Sequence, residues 1–230
     1  MVESAAQTRT SASVCIEHDG VSRDAAWERD RDRLLAAARH PLDPATLAFA
    51  GVIARAPLRP TRYDVPLAGL DPDALSRLLA VRFPALTPAI AADLRGAAEH
   101  SPTLDAQLDE FEDLVALLLD HRSIADETSE WLAHAIATAS MASDHLWQDM
   151  GLPARAVLNT LLADHFTTLY LKNVGDMKWK KFFYRQLCER AQVPICRSPS
   201  CSTCVDFTDC FGPENAQEPG WLRQVAQRMG

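Results

Sequence analysis

The sequence has 230 residues, of which 47% are hydrophobic and 23% charged, and its formal net charge is −8. This is ordinary globular composition, long enough to bury a real core, and 9 glycines and 14 prolines exclude a collagen-like or low-complexity chain. The acidic balance argues against general nucleic-acid binding, and the longest aliphatic run, Leu114 to Leu119, is far short of the roughly 20 residues that span a bilayer.

Residues 1–22 are polar and lack apolar periodicity, so a disordered tail is expected there. Met1 to Cys15 contains no apolar stretch of the secretory kind, and a cytoplasmic location is expected. Helix starts then recur. Asp43-Pro44, Asp71-Pro72, Thr87-Pro88 and Ser101-Pro102 each pair a capping side chain with a proline at the first helical position. The cap accepts a bond from an orphan N–H, and proline at that position forfeits no hydrogen bond.

The stretches that follow have helical spacing. Leu104, Leu108, Phe111, Leu114, Val115 and Leu118 share one face, with Asp109, Glu110, Glu112 and Asp113 opposite. Trp131, Leu132, Ala135, Ile136 and Ala139 form a second run, which Gly151-Leu152-Pro153 is expected to break. A third holds Val157, Leu158, Leu161, Leu162 and Leu169. Asp176 is the expected cap of a helix bearing Trp179, Phe182, Phe183 and Leu187. Strand and hairpin signals are sparse. The expected fold is all-α: a helical domain over 23–190, a cysteine-rich metal-binding loop over 191–215, and a tail or short helix over 216–230.

Charge and cysteine are both skewed toward the C-terminal part. All four lysines, Lys172, Lys178, Lys180 and Lys181, lie within ten residues, and Arg185 follows them. Five of the six cysteines fall between Cys188 and Cys210, and four of these have the spacing Cys196-x4-Cys201-x2-Cys204-x5-Cys210. Prolines, serines and threonines around them suit the tight turns that bring four thiolates to one point. The first three cysteines have the spacing of plant-type ferredoxins, although there the fourth ligand is usually distant. A four-cysteine zinc site commonly uses two short pairs; Cys196 and Cys201 fit that rule, whereas Cys204 and Cys210 are spaced too widely. Spacing therefore indicates a metal and leaves iron–sulfur and zinc open, with redox thiols or disulfides as a lesser alternative. Ile195, Val205, Phe207 and Phe211 are placed to shield a cluster from water. Cys188 is expected to be a small buried hydrophobe and Cys15 incidental.

Three Asp-His pairs occur in consecutive helical segments: Asp120-His121, Asp144-His145 and Asp164-His165. His145 and His165 flank the Gly151-Leu152-Pro153 break and could approach across an α-hairpin as accessory metal ligands; a hydrogen-bonded structural histidine is the plainer alternative. The walker-type phosphate loop, the H-E-x-x-H zinc motif and the G-x-S-x-G nucleophile elbow are absent. A monomer is expected.

His145 to Leu152, then Asp176 to Arg185, then the four-cysteine group together resemble the NifQ family, most closely over residues 145–212. The resemblance implies a carrier without turnover, not an enzyme, that supplies molybdenum for assembly of the nitrogenase iron–molybdenum cofactor. It implies that Cys196, Cys201, Cys204 and Cys210 bind an iron–sulfur cluster that takes up molybdenum. It also implies the cofactor scaffold complex and the nitrogenase Fe protein as partners, with molybdate as the metal source. Lys172, Lys178, Lys180, Lys181 and Arg185 would then bind an anion or an acidic partner, since both molybdate and a thiolate-bound cluster are anionic. The plainer alternative is a solvated helix face over a core of Trp179, Phe182 and Phe183. Two other functions compete: a ferredoxin-like iron–sulfur electron carrier and a zinc-stabilised protein-interaction module.

Overall fold

The computed structural model describes residues 19–59, 63–99, 109–193, 204 and 207–214, and the regular elements among them are all helical. Among the described residues the expected all-α class is what the chain adopts. Two of the Asp-Pro starts show their chemistry directly. Asp43 accepts from the Thr46 N–H at 3.0 Å and opens α2 (Pro44–Ala54). Asp71 accepts from the Asp73 and Ala74 N–H groups at 2.9 and 3.2 Å and opens α3 (Pro72–Arg82). Each such cap contributes about 1 kcal/mol. Thr87-Pro88 opens α4 (Pro88–Glu99). Ser101-Pro102, Leu104 and Leu108 lie outside the described residues.

α2 is the centre of the molecule. From Ala45 to Ala54 every residue is buried, because the segment is apolar all round and presents no face suited to water. It is enclosed by α1 (Asp19–Ala36), α6 (Glu127–Ser140) and α8 (Arg155–His165). Phe49 of α2 meets Trp131 of α6 edge to face, with ring centroids 6.5 Å apart. Burying Leu47, Phe49, Val52 and Ile53 contributes about 1.5–3 kcal/mol each. α5 (Asp109–Asp120) packs on α6, with Phe111 against His134, and its Phe111, Leu114, Val115 and Leu118 are buried as their spacing predicts.

Four boundaries differ from the sequence expectation. α1 begins at Asp19, within the stretch expected to be tail; residues 1–18, Cys15 among them, lie outside the described residues. α6 ends at Ser140, eleven residues before Gly151, and a short helix, α7 (Leu146–Asp149), fills part of the interval. Thr138 and Ser140 turn their hydroxyls back to the carbonyls of His134 and Ile136, at 2.7 and 2.8 Å, near that end. The third run divides at the fully buried Phe166 into α8 and α9 (Thr167–Lys172). Finally, Asp176 does not cap α10 (Trp179–Ala191). It adopts a left-handed backbone (φ 52°), and Lys178 occupies the cap position.

Gly51 allows the closest backbone approach in the core. A Cβ there would fall 2.8 Å from the Cα of Gly151 and would also strike the Met150 carbonyl. Gly151 itself has φ 65°, as the turn between α7 and α8 requires. Alanine normally favours a helix over glycine by about 1 kcal/mol. Here the clash reverses the sign, so Gly51→Ala is expected to destabilise the protein by about 1–3 kcal/mol in urea titration. Unchanged or raised stability would show that α2 and the α7–α8 turn are not in contact.

Candidate functional site

The contact at Gly51 seats α7, and α7 supplies one wall of the site. His145 stands at its N-cap, where its backbone N–H donates to the Gln148 side chain at 3.2 Å. Asp149 ends the helix with its side chain only 5% exposed. Lys180, in the first turn of α10, reaches in to it with Nζ 2.5 Å from Oδ2, and also donates to the Ala142 carbonyl at 2.8 Å. Burial pushes the Asp149 carboxyl above the ordinary carboxylate range, and the Lys180 ammonium opposes that.

The turn entering α10 is built by Asn173, whose amide donates to the Met177 carbonyl and accepts from the Met177 N–H, both at 2.9 Å. Trp179 then buries its ring against Tyr170, Phe182 and Phe183 and donates its indole N–H to Asn159 at 2.7 Å. Helical spacing predicts this inward aromatic face.

The third wall comes from residues 207–214. α11 (Phe207–Phe211) is a single turn whose two phenylalanines stack at 4.6 Å. The Cys210 carbonyl accepts the Lys178 N–H at 2.8 Å, and Lys178 Nζ reaches the Thr208 carbonyl at 3.3 Å. Phe211 lies over Gly175, where a Cβ would be 3.2 Å from its ring. Glu214 closes the segment with an ion pair to Arg155 at 2.8 Å. A cavity of about 620 Å³ lies between the three walls, lined by His145, Gln148, Lys178, Lys181, Asp209 and Glu214 among others.

The structure divides the sequence-predicted residues. Cys204 and Cys210 are half-buried beside this cavity's third wall, and Cys196 and Cys201 lie outside the described residues. Cys188, Cys204 and Cys210 form no disulfide. Cys188 is half-buried on α10 rather than fully enclosed. Among the described residues, no three His, Cys, Asp or Glu side chains converge on one point.

Lys178, Lys180 and Lys181 share the cavity, whereas Lys172 and Arg185 line a separate hollow of about 490 Å³. Lys172 contacts His121 at 3.2 Å, and Arg185 pairs with Glu189 at 2.8 Å. The basic cluster seen in sequence is therefore two groups in space. Lys180 is committed to Asp149, so Lys178 and Lys181 supply the positive charge on the cavity, facing Asp144 and Asp209.

His145 and His165 are likewise apart. His145 faces the cavity with Nδ1 3.8 Å from Glu214. His165 sits at the opposite end of α8, an 11-residue helix of about 16 Å, with Nδ1 3.4 Å from the Ser129 hydroxyl. Burial draws its pKa below the ordinary histidine value. The two rings thus have different partners, His145 beside Glu214 on the cavity and His165 beside Ser129.

Sequence reasoning did not single out Asp149, Arg155 or Glu214. One signal was available for Arg155. It occupies the first residue of α8, where the helix N-terminus disfavours a cation unless anions face it.

With that geometry in view, the described residues form an all-helical body that docks part of a cysteine-rich segment against a lysine-bearing helix. The NifQ family model matches residues 28–212, and the chain belongs to that family. Protein NifQ of Azotobacter vinelandii is 42% identical over 151 residues, covering 64% of this chain and 77% of that protein. A NifQ homolog of Sinorhizobium fredii is 44% identical over 99 residues, 43% of each chain. Protein NifQ of Klebsiella pneumoniae is 50% identical over 82 residues, 35% of this chain and 48% of that one. No solved structure matches.

The buried ion pair yields a prediction. Removing the ammonium leaves the Asp149 charge uncompensated, so Lys180→Met is expected to cost about 3–5 kcal/mol at pH 7. The deficit should shrink as pH falls, because a carboxyl raised by burial is protonated on acidification and its charge disappears. Chemical denaturation across pH checks this; a loss that is small, or constant with pH, would mean Lys180 and Asp149 are not coupled.

Proposed function

We propose that this chain carries molybdenum for biosynthesis of the nitrogenase iron–molybdenum cofactor, on an iron–sulfur cluster held by Cys196, Cys201, Cys204 and Cys210. Family membership supports the reading. The observation that carries it is the bond from the Lys178 N–H to the Cys210 carbonyl, which brings one end of the cysteine motif to the wall of the lysine-lined cavity.

The residues suit the group. Thiolates are soft donors of the kind that hold iron–sulfur clusters. Cys204 and Cys210 are half-buried, outside any disulfide, and flanked by the stacked Phe207 and Phe211. Apolar cover of this kind limits water and helps set lability. A bound cluster would supply the sulfides on which molybdenum is carried. The chain's own part is to hold that group, shield it, and present it from an accessible segment rather than from the core. Lys178 and Lys181 contribute positive potential where anionic molybdate arrives. The same charges suit docking of an acidic partner, and the cofactor scaffold complex and the nitrogenase Fe protein are the recipients proposed. A carrier of this kind needs firm binding and release, not turnover. Among the described residues no helix is long and apolar enough to cross a membrane.

The test is metal content per chain in anaerobically prepared single variants. Alanine at Cys196, Cys201, Cys204 or Cys210 should lower iron and molybdenum together by severalfold, whereas Cys188→Ala and Cys15→Ala should keep both. Full metal content in Cys210→Ala with loss in Cys188→Ala would overturn the ligand set. Iron without molybdenum throughout would favour electron transfer, and zinc in a colourless protein the interaction module. In a second experiment Lys178→Gln/Lys181→Gln, with Lys180 left in place for its structural role, should lower molybdenum uptake more than iron content. Equal loss of both metals would assign these lysines to structure alone.

A further inference from the structure

We propose that Arg155 and Glu214 form a clasp that positions Cys210 and holds the end of the cysteine segment closed against the helical body. The inference deepens the carrier reading and rests on it for the role of Cys210 as a ligand.

A single guanidinium joins three parts of the chain. Arg155 begins α8 and is mostly buried, its side chain 17% exposed. Nη1 donates to Glu214 at 2.8 Å. Nη2 donates to the Asp176 carboxylate at 2.8 Å and to the Met177 and Asp176 carbonyls at 2.9 and 3.1 Å. The same side chain therefore fixes the turn that leads into the lysine helix and the residue four positions after Cys210. Glu214 is buried as well, its side chain 5% exposed. A carboxylate is brought into such a place only when a cation meets it, and a cation at a helix N-terminus stays only when carboxylates face it. The two groups justify each other.

Cys210 lies inside the loop this clasp closes. Its carbonyl is held by the Lys178 N–H, one residue from Met177, which Arg155 holds in turn. Phe211 seats over Gly175 between those two attachments. Opening the Arg155–Glu214 pair therefore releases the exit of the segment while leaving α8 and the α10 entry intact. Arg155 is a positioning residue, remote from any thiol in its own contacts. His145, 3.8 Å from Glu214, stands at the edge of the clasp and lines the adjoining cavity.

Glu214→Gln removes the carboxylate charge and leaves Arg155 its bonds to Asp176 and Met177, so the helical body keeps its fold. In the metal-free full-length protein, alkylation of each cysteine by iodoacetamide, resolved by mass spectrometry, reports local opening. Cys210 is expected to react about tenfold faster in Glu214→Gln, equivalent to losing roughly 1.4 kcal/mol of local closure. Cys188, on α10, should react at the unaltered rate. Arg155→Gln should raise Cys210 reactivity at least as much. A Cys210 rate equal to that of the unaltered chain overturns the clasp, and so does parallel acceleration of Cys188, which would mean general loosening. In metal-loaded protein, Glu214→Gln should begin with normal iron and lose it to a chelator severalfold faster. The metal-free comparison tests the clasp alone, whereas a Cys210→Ala chain that keeps its metal would defeat the ligand reading separately.

Discussion

The ion pair between Lys180 and Asp149 is the interaction on which the site depends. Asp149 ends a four-residue helix that could not persist alone, since a helix this short is far below the length that is stable in water. The helix is held from one side by the backbone contact of Gly151 with Gly51 and from the other by the Lys180 ammonium. That ammonium also fixes the first turn of α10, and so the direction in which Lys178 and Lys181 point. A hydrophobic pair could fill the same volume at less desolvation cost. The charged pair adds direction, because an ammonium and a carboxylate satisfy each other in few geometries.

From that anchor the three walls of the cavity follow. α2 supports α7, α7 orients α10, and the backbone N–H at the head of α10 receives the Cys210 carbonyl. Arg155 repeats the device at the other end of the segment, pairing a buried charge with Glu214. The core supplies stability through aliphatic and aromatic burial, while two buried ion pairs specify where the cysteine segment attaches. The structural consequence is a helical body to which the end of the cysteine segment is held by a few polar contacts, the arrangement on which the proposed carrier role rests.

The fold was legible where apolar spacing or capping chemistry was strong. Asp43 and Asp71 cap as their side chains require, and the inward faces of α5 and α10 follow the 3.6-residue period, whereas α6 is buried almost all round beyond the face its spacing announced. α2 could have been recognised as central from its uninterrupted apolar composition. Less legible were the ends: Ser140, Phe166 and Asp176 change the chain's course through tertiary packing and side-chain bonds that no local pattern announces. The cysteine motif was visible as a spacing, of the kind that metal ligation would impose. The lysine cluster was visible too, but sequence could not divide it. Lys180 differs from Lys178 and Lys181 through Asp149 and the Ala142 carbonyl, which lie 31 and 38 residues away. Arg155 and Glu214, 59 residues apart, are linked by charge and burial without any spacing rule.

The most direct measurement of the central claim is iron, molybdenum and zinc per chain in the unaltered protein, prepared anaerobically with molybdate supplied and paired with its visible spectrum. The expected result is a brown protein containing several irons and up to one molybdenum per chain. One zinc per chain, no iron and no visible absorption would contradict it.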